Sequence, residues 1–283
     1  MFAALRVRNY RLYTAGQIVN VAGNWMQNIA VGWLVLQLTH SGIALGAVTA
    51  ARYVPILLFA PWGGLIADRL DKRRLLCITA LADAALTLTL GLLVATHAVN
   101  IGLVIAVVTG AGVVDVFDGP GRQSFLNNMV DRARLGNAIA LNSIVVNSAR
   151  IAGPGAAGVI IATFGVAPCF FANTVSFAAI ILSLLAMRPS ELLPSRREVR
   201  ARGQIRAAVR HVAGTPELLT ALLMVTVTGM FAWEFQVTLP LLTSLTFHGT
   251  SAAYGTAVSC LAFGSIAGGL AAARRRLPTR RSI

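Results

Sequence analysis

Three acids, Asp83, Asp115 and Glu234, stand inside long apolar stretches of this 283-residue sequence. A carboxyl in such surroundings can take up and release a proton, because desolvation disfavours its charged form and a neighbouring arginine favours it. Arg52 and Arg150 are the basic residues deepest in the same stretches. Charge at that depth is costly and faces a cavity or a partner. At about 1.5 Å of rise per helical residue, Arg150 and Asp115 come to similar depth, and Arg52 and Glu234 match nearer the outer side. The sequence therefore predicts an Arg150–Asp115 pair and an Arg52–Glu234 match. Such pairs either hold helices in register or work directly on a substrate or proton, and both readings stay open. Glu234 is flanked by Trp233 and Phe235, which suits the wall of a site for an aromatic ligand. Gln17, Asn20, Asn24, Gln27 and Asn28 recur at spacings of three and four, a polar stripe along one helix. Facing lipid, each amide would be left unsatisfied at a cost of several kcal/mol. The stripe either lines a cavity or joins neighbouring helices.

The elements that must carry these residues follow from composition. The chain is 56% hydrophobic and 12% charged, too little charge for the surface of a soluble domain. About eight apolar blocks approach the roughly 20 residues that a bilayer crossing needs. They lie near 13–38, 43–67, 75–96, 100–121, 138–163, 167–187, 218–245 and 251–273. The fold class predicted is an all-α polytopic membrane bundle. The net charge is +14, but it is not gathered into one groove, which argues against nucleic acid. Arginines and lysines precede the first block and follow the second, fourth, sixth and eighth. The alternate connections, around His40, His97, Pro168 and His248, have none. This asymmetry predicts both termini on the cytoplasmic side of the membrane, with the basic loops against lipid headgroups. The first block is too long and too polar for a cleaved signal peptide. Cys77, Cys169 and Cys260 are isolated and make no metal or disulfide pattern, and no Walker-type phosphate loop is present.

The longest interruption divides the chain into a six-span bundle at 1–187, a basic cytoplasmic linker at 188–217 and a partial second bundle at 218–283. Within the linker, Ile205, Val209 and Val212 recur at helical spacing. They fit either an amphipathic helix on the inner membrane surface or a solvated one.

Between the second and third blocks stands Gly64-Leu-Ile-Ala-Asp68-Arg69-Leu-Asp71-Lys72-Arg73-Arg74. A glycine allows close helix approach, an acid ends its helix at the surface, and basic residues keep the loop cytoplasmic. The stretch resembles the G-x-x-x-D-R-x-G-x-[RK]-[RK] loop of the major facilitator superfamily of secondary transporters, with Asp71 where that family usually has glycine. Further pieces resemble its enterobactin-exporter-like and macrolide-efflux-like branch. They are Arg8-Asn9-Tyr10-Arg11, Arg52-Tyr-Val-Pro55, Gly119-Pro120-Gly121-Arg122-Gln123 and Asn147-Ser-Ala-Arg150-Ile-Ala-Gly153-Pro154. The likeness covers about 8–273.

The resemblance implies a proton-linked exporter of a drug or siderophore, in the plasma (inner) membrane, with no cofactor and no enzymatic activity. Read from the residues themselves, the polar groups inside the apolar stretches point the same way: cavity or substrate contacts from Asn20, Asn24, Gln27, Asn28, Arg52, Arg150 and Trp233, and proton coupling through Asp83, Asp115 or Glu234. The resemblance adds two further expectations. It also implies a charge cluster in which Asp118 and Arg122 join Asp68 to latch the inward side, and it likens Gly153-Pro154-Gly155 to a glycine-proline element of antiporters. Gly269-Leu-Ala-Ala-Ala273-Arg274 echoes the Gly64 stretch at an offset of about 205 residues, as expected where a transporter is built from two related halves. The chain would then hold one six-span half and two spans of the other. The alternative is a remnant without transport, or a partner subunit of a split transporter completed by a second chain.

Overall fold

The structure is a computed structural model that describes residues 3–67, 69–193, 210, 212–232 and 235–273. The expected features at Asp68, at Trp233 and Glu234, in most of the basic linker, and in the arginines after Ala273 lie outside the described residues.

The described residues form helices and no strand. After a short 3-10 turn at Ala3–Arg6 come α1 (Arg8–Thr39), α2 (Gly42–Ala67), α3 (Lys72–Ala95), α4 (Ile101–Met129), α5 (Arg132–Phe164) and α6 (Ala167–Leu185). Beyond the linker come α7 (Pro216–Ala232), α8 (Phe235–Leu241), a π-turn at Leu242–Thr246, and α9 (Ser251–Ala273). Among the described residues, α2 to α6 are long and apolar enough to cross a membrane. α1 is longer than any of these except α5, and its amides dilute its apolar character. The apolar side chains Ile43, Leu57, Ile78, Phe164 and Val175 point outward, as befits a bundle whose solvent is lipid.

Helix starts follow their caps. Asp71, Asn100 and Asp131 each accept a hydrogen bond from the backbone N–H three residues on, at 2.8–2.9 Å, which satisfies a donor that the first helical turn leaves free. Asp71 thus has a local reason to replace the glycine expected in its loop. At the other helix ends, His40, His97 and His248 are exposed and adopt left-handed backbone conformations, with φ of 50°, 56° and 49°. His40 and His248 close the corresponding spans of the two halves in the expected repeat.

Apart from α3 and α4, neighbours in sequence are not the main neighbours in space. α2 lies against α4, α3 against α4 and α6, α1 against α5 and α6, and α5 against α9, while α4 and α5 barely touch. Glycines set these partners. A Cβ at Gly112 would collide with the Arg52 carbonyl, and one at Gly63 with the Val116 carbonyl, so α2 and α4 meet backbone to backbone. Gly153 does the same for α5 against Ala22 and Trp25 of α1. On its other face α5 meets α9 through Gly158, whose added Cβ would lie 3.3 Å from the Gly255 Cα. Ser259 Oγ donates to the Ile151 carbonyl there at 2.8 Å. The packing role expected of Gly64 falls instead to Gly63, one residue earlier, because Gly64 faces open space among the described residues. Gly46, Gly264 and Gly268 face open space too among the described residues, whereas a Cβ at Gly42 would lie 3.0 Å from Leu241 Cδ1 of α8.

Two apolar cores result. One, at the end of the bundle that carries the three histidines, gathers Ile29, Leu34, Val35, Leu90, Val104 and Phe170. The other, at the basic end, gathers Tyr10, Tyr13, Leu76, Phe125, Phe177 and Leu184. Between them, α1, α3, α4 and α6 bring Gln17, Asn20, Thr87, Asp118, Asn173 and Ser176 to the interior as buried polar side chains.

Candidate functional site

That polar layer is built one helix at a time. From α1, Gln17 accepts a hydrogen bond from Arg122 Nη1 at 2.7 Å. Asn24 and Gln27 both accept from Asn173 Nδ2 of α6, at 3.1 and 2.5 Å, and Asn28 accepts from Arg52 Nη1 at 3.3 Å. Asn20 is fully buried, and neither atom of its amide has a partner among the described residues. From α3, Thr87 donates to Gln27 at 2.9 Å and Thr79 to Asp118 at 2.8 Å. From α4, Asp118 is ion-paired with Arg122 one turn on. The stripe on α1 therefore does both jobs left open by the sequence. It joins α1 to α2, α3, α4 and α6, and it borders a cavity.

Asp115 accepts from Arg52 twice, Nε at 3.1 Å and Nη2 at 3.0 Å. This corrects the pairing expected from depth. Asp115 is on α4, which lies against α2 and hardly touches α5, so Arg52 of α2 reaches it and Arg150 of α5 does not take that place. The contact depends on Gly112, one turn before Asp115, which lets the Arg52 backbone close on α4. Arg150 sits elsewhere, with its guanidinium carbon 5.2 Å from the Trp25 ring centre and 5.5 Å from that of Phe235. A guanidinium over aromatic faces is held by the ring quadrupole.

Two cavities meet at Arg52. The polar one, about 40 Å³, is lined by Asn24, Gln27, Asp83, Thr87, Asp115 and Arg122 among others. The second, about 70 Å³ and mainly apolar, is lined by Trp25, Ile29, Tyr53, Leu90, Phe235 and Tyr254 among others. Gln27, Asn28 and Arg52 border both. An apolar chamber with a few convergent polar groups is the usual form of a small-molecule site.

The loop motif divides differently. Arg73 does not stand free on a loop, for it donates to the carbonyls of Leu184 and Leu185 at 2.6 and 3.0 Å and so closes the C-terminal end of α6. Arg69 and Arg74 are near the same end of the bundle, and Lys72 is buried in the first turn of α3. Asn9 and Tyr10, part of the fragment before the first span, also have structural work. Asn9 exchanges two hydrogen bonds with the Arg188 backbone, and Tyr10 donates to the Ala138 carbonyl at 2.9 Å. Asn173, Thr79 and Thr87 were not singled out by the sequence. Asn173 could have been, since an amide inside the apolar α6 obeys the same rule as those of α1. The two threonines carry no such signal.

Comparison with known proteins agrees with this architecture. Residues 1–281 match the family described as transmembrane secretion effector, one of the major facilitator families. The staphyloferrin A transporter of Staphylococcus aureus (strain NCTC 8325 / PS 47) is 33% identical over 248 residues, covering 86% of this chain and 62% of that protein. The multidrug efflux pump Tap of Mycolicibacterium fortuitum is 33% identical over 224 residues, covering 74% of this chain and 54% of that protein. Among solved structures, a bacterial homologue of the human lysosomal transporter Spinster, inward-facing and unoccupied, superposes over 95% of this chain with a TM-score of 0.70 at 14% identity, covering 63% of that chain. The chain belongs to the major facilitator superfamily and is a multi-pass membrane protein of a transporter family, not of an enzyme family. It spans about 62% and 54% of the length of the two curated relatives it matches.

Proposed function

We propose that this chain supplies the binding half of a secondary transporter that exports a small molecule, a drug or a siderophore, in exchange for protons. The observation that carries this reading is the junction at Arg52, where a mainly apolar chamber adjoins a layer of carboxylates able to hold a proton. Exchange needs the two occupancies to influence one another, and a shared wall of Gln27, Asn28 and Arg52 gives them a route. The likeness to a staphyloferrin A transporter and to a multidrug efflux pump supports the substrate class. In this reading the energy source is the proton gradient and no cofactor takes part. The protein lies in the plasma (inner) membrane, both termini are cytoplasmic, lipid is its surroundings, and nucleic acid is not a partner.

Rocking-bundle transport encloses its site between two halves. The relatives extend well beyond the matched length, which favours a second reading for the 283 residues by themselves: a partner subunit, or a remnant, completed by a further segment or a second chain. Both readings are tested in proteoliposomes under an imposed pH gradient. The 283-residue chain is expected to give no gradient-driven dye efflux. The same chain joined to the unmatched remainder of the Tap pump is expected to give efflux that a protonophore abolishes. Efflux by the chain alone would mean that copies complete each other's site. Efflux by the joined protein that ignores the gradient would end the proton-linked reading.

A further inference from the structure

The proton-linked reading leaves open which acid exchanges the proton, and the polar layer separates its three carboxylates sharply. On α3, Thr79, Asp83 and Thr87 follow one another at successive turns of one face, and Asp83 and Thr87 line the cavity. Thr79 is engaged with Asp118 and Thr87 with Gln27. Asp83, between them, lines the cavity yet has no hydrogen bond or ion pair among the described residues. Asp115 is held twice by Arg52, and Asp118 is held by Arg122 and Thr79.

The charge balance of the layer completes the case. α2 contributes Arg52, and α4 contributes Asp115, Asp118 and Arg122. α6 contributes the neutral Asn173 and Phe177. α1 contributes amides and the phenol of Tyr13. Arg150, on α5, stands over the Trp25 and Phe235 rings. Among the described residues, three carboxylates thus face two guanidiniums in this layer, and one negative charge is uncompensated. An uncompensated charge away from water is expensive, and a buried group neutralises in preference to bearing it. The pairs at Asp115 and Asp118 are each stabilised by their arginine, so the proton that neutralises the layer goes to the acid without one.

We propose that Asp83 is the exchangeable proton site of this protein, and that Asp115 and Asp118 stay charged as fixed counter-ions of Arg52 and Arg122. Loss of the proton makes the layer a net anion beside the apolar chamber, and its return makes the layer neutral. This inference rests on the proton-linked reading for its role in transport, but the site itself is tested without transport.

The test is infrared difference spectroscopy of the full chain in lipid nanodiscs, titrated with acid and base. A protonated carboxyl shows a C=O stretch well separated from the carboxylate bands. One such band, shifted by 13C-labelled aspartate, is expected to appear and disappear with pH. It should vanish in Asp83→Asn, persist with a changed frequency and lose the label shift in Asp83→Glu, and remain unaltered in Asp131→Asn at the exposed start of α5. If Asp83→Asn does not yield folded protein, the Asp83→Glu pattern in a labelled background decides the matter. A titrating band that survives both Asp83 variants, or one that disappears in Glu234→Gln instead, overturns the proposal. If the band behaves as expected but the joined transporter ignores the pH gradient, the proton site stands and the coupled-export reading falls.

Discussion

Arg52 ties α2 to α1 and α4, touching Asp115, Asn28 and both cavities. Removing one partner of a buried ion pair strands the other charge, at a typical cost of ~3–5 kcal/mol. The Arg52 and Asp115 side chains retain 29% and 27% of their exposure, so the lower end of that range applies. Arg52→Ala is expected to lower the melting temperature of the detergent-solubilised protein, read as loss of the monodisperse peak after heating. Exchanging the two residues, Arg52→Asp with Asp115→Arg, should recover part of the loss, whereas Arg150→Asp with Asp115→Arg should recover none. Each residue of the true pair was visible in the sequence, because intramembrane charge is rare and expensive wherever it occurs. The pairing was not visible. Depth along a helix can be counted from the sequence, but which helix faces which cannot, and equal depth on consecutive spans suggested a contact that the packing of α2 on α4 pre-empts.

At the scale of elements, helix spans were legible and helix contacts were not. Apolar runs, turns and caps such as Asp71, Asn100 and Asp131 are local, so the predicted blocks coincide closely with α1 to α6 and α9. Contact glycines depend on which face of a helix meets a neighbour, and a spacing of four says nothing of that. Gly112 and Gly46 make the contrast measurable. A methyl group at Gly112 would press on the Arg52 carbonyl, while one at Gly46 meets nothing within 4 Å among the described residues. Gly112→Ala is expected to destabilise by about 1–3 kcal/mol, as overpacking does, and to weaken the Arg52–Asp115 contact beside it. Gly46→Ala should be neutral or stabilising by up to ~1 kcal/mol, from helix propensity. Thermal or denaturant unfolding of the two variants side by side checks both, and a larger loss at Gly46 would contradict the packing described for α2.

For the whole molecule, the charge asymmetry of the loops makes a prediction about sidedness. A cysteine replacing His97 should react with a membrane-impermeant maleimide added to intact cells, and one replacing Ser190 should react only after the cells are opened. The background from Cys77, Cys169 and Cys260 is removed by replacing them first. Labelling at Ser190 from outside would invert the orientation. The expectation rests on loop charge alone, which is a property of composition. The polar layer between two apolar cores was not legible in the sequence, since it forms only when residues from five helices come to one level. The α5–α9 contact has a mechanical corollary. Where Gly158 and Gly255 meet, main chain lies on main chain, and two α9 serines bridge the joint, Ser251 to the Gly158 carbonyl and Ser259 to the Ile151 carbonyl. A side chain larger than hydrogen at either glycine would pry the two helices apart, so the pair works as a spacer gauge that sets how closely α9 can seat on α5.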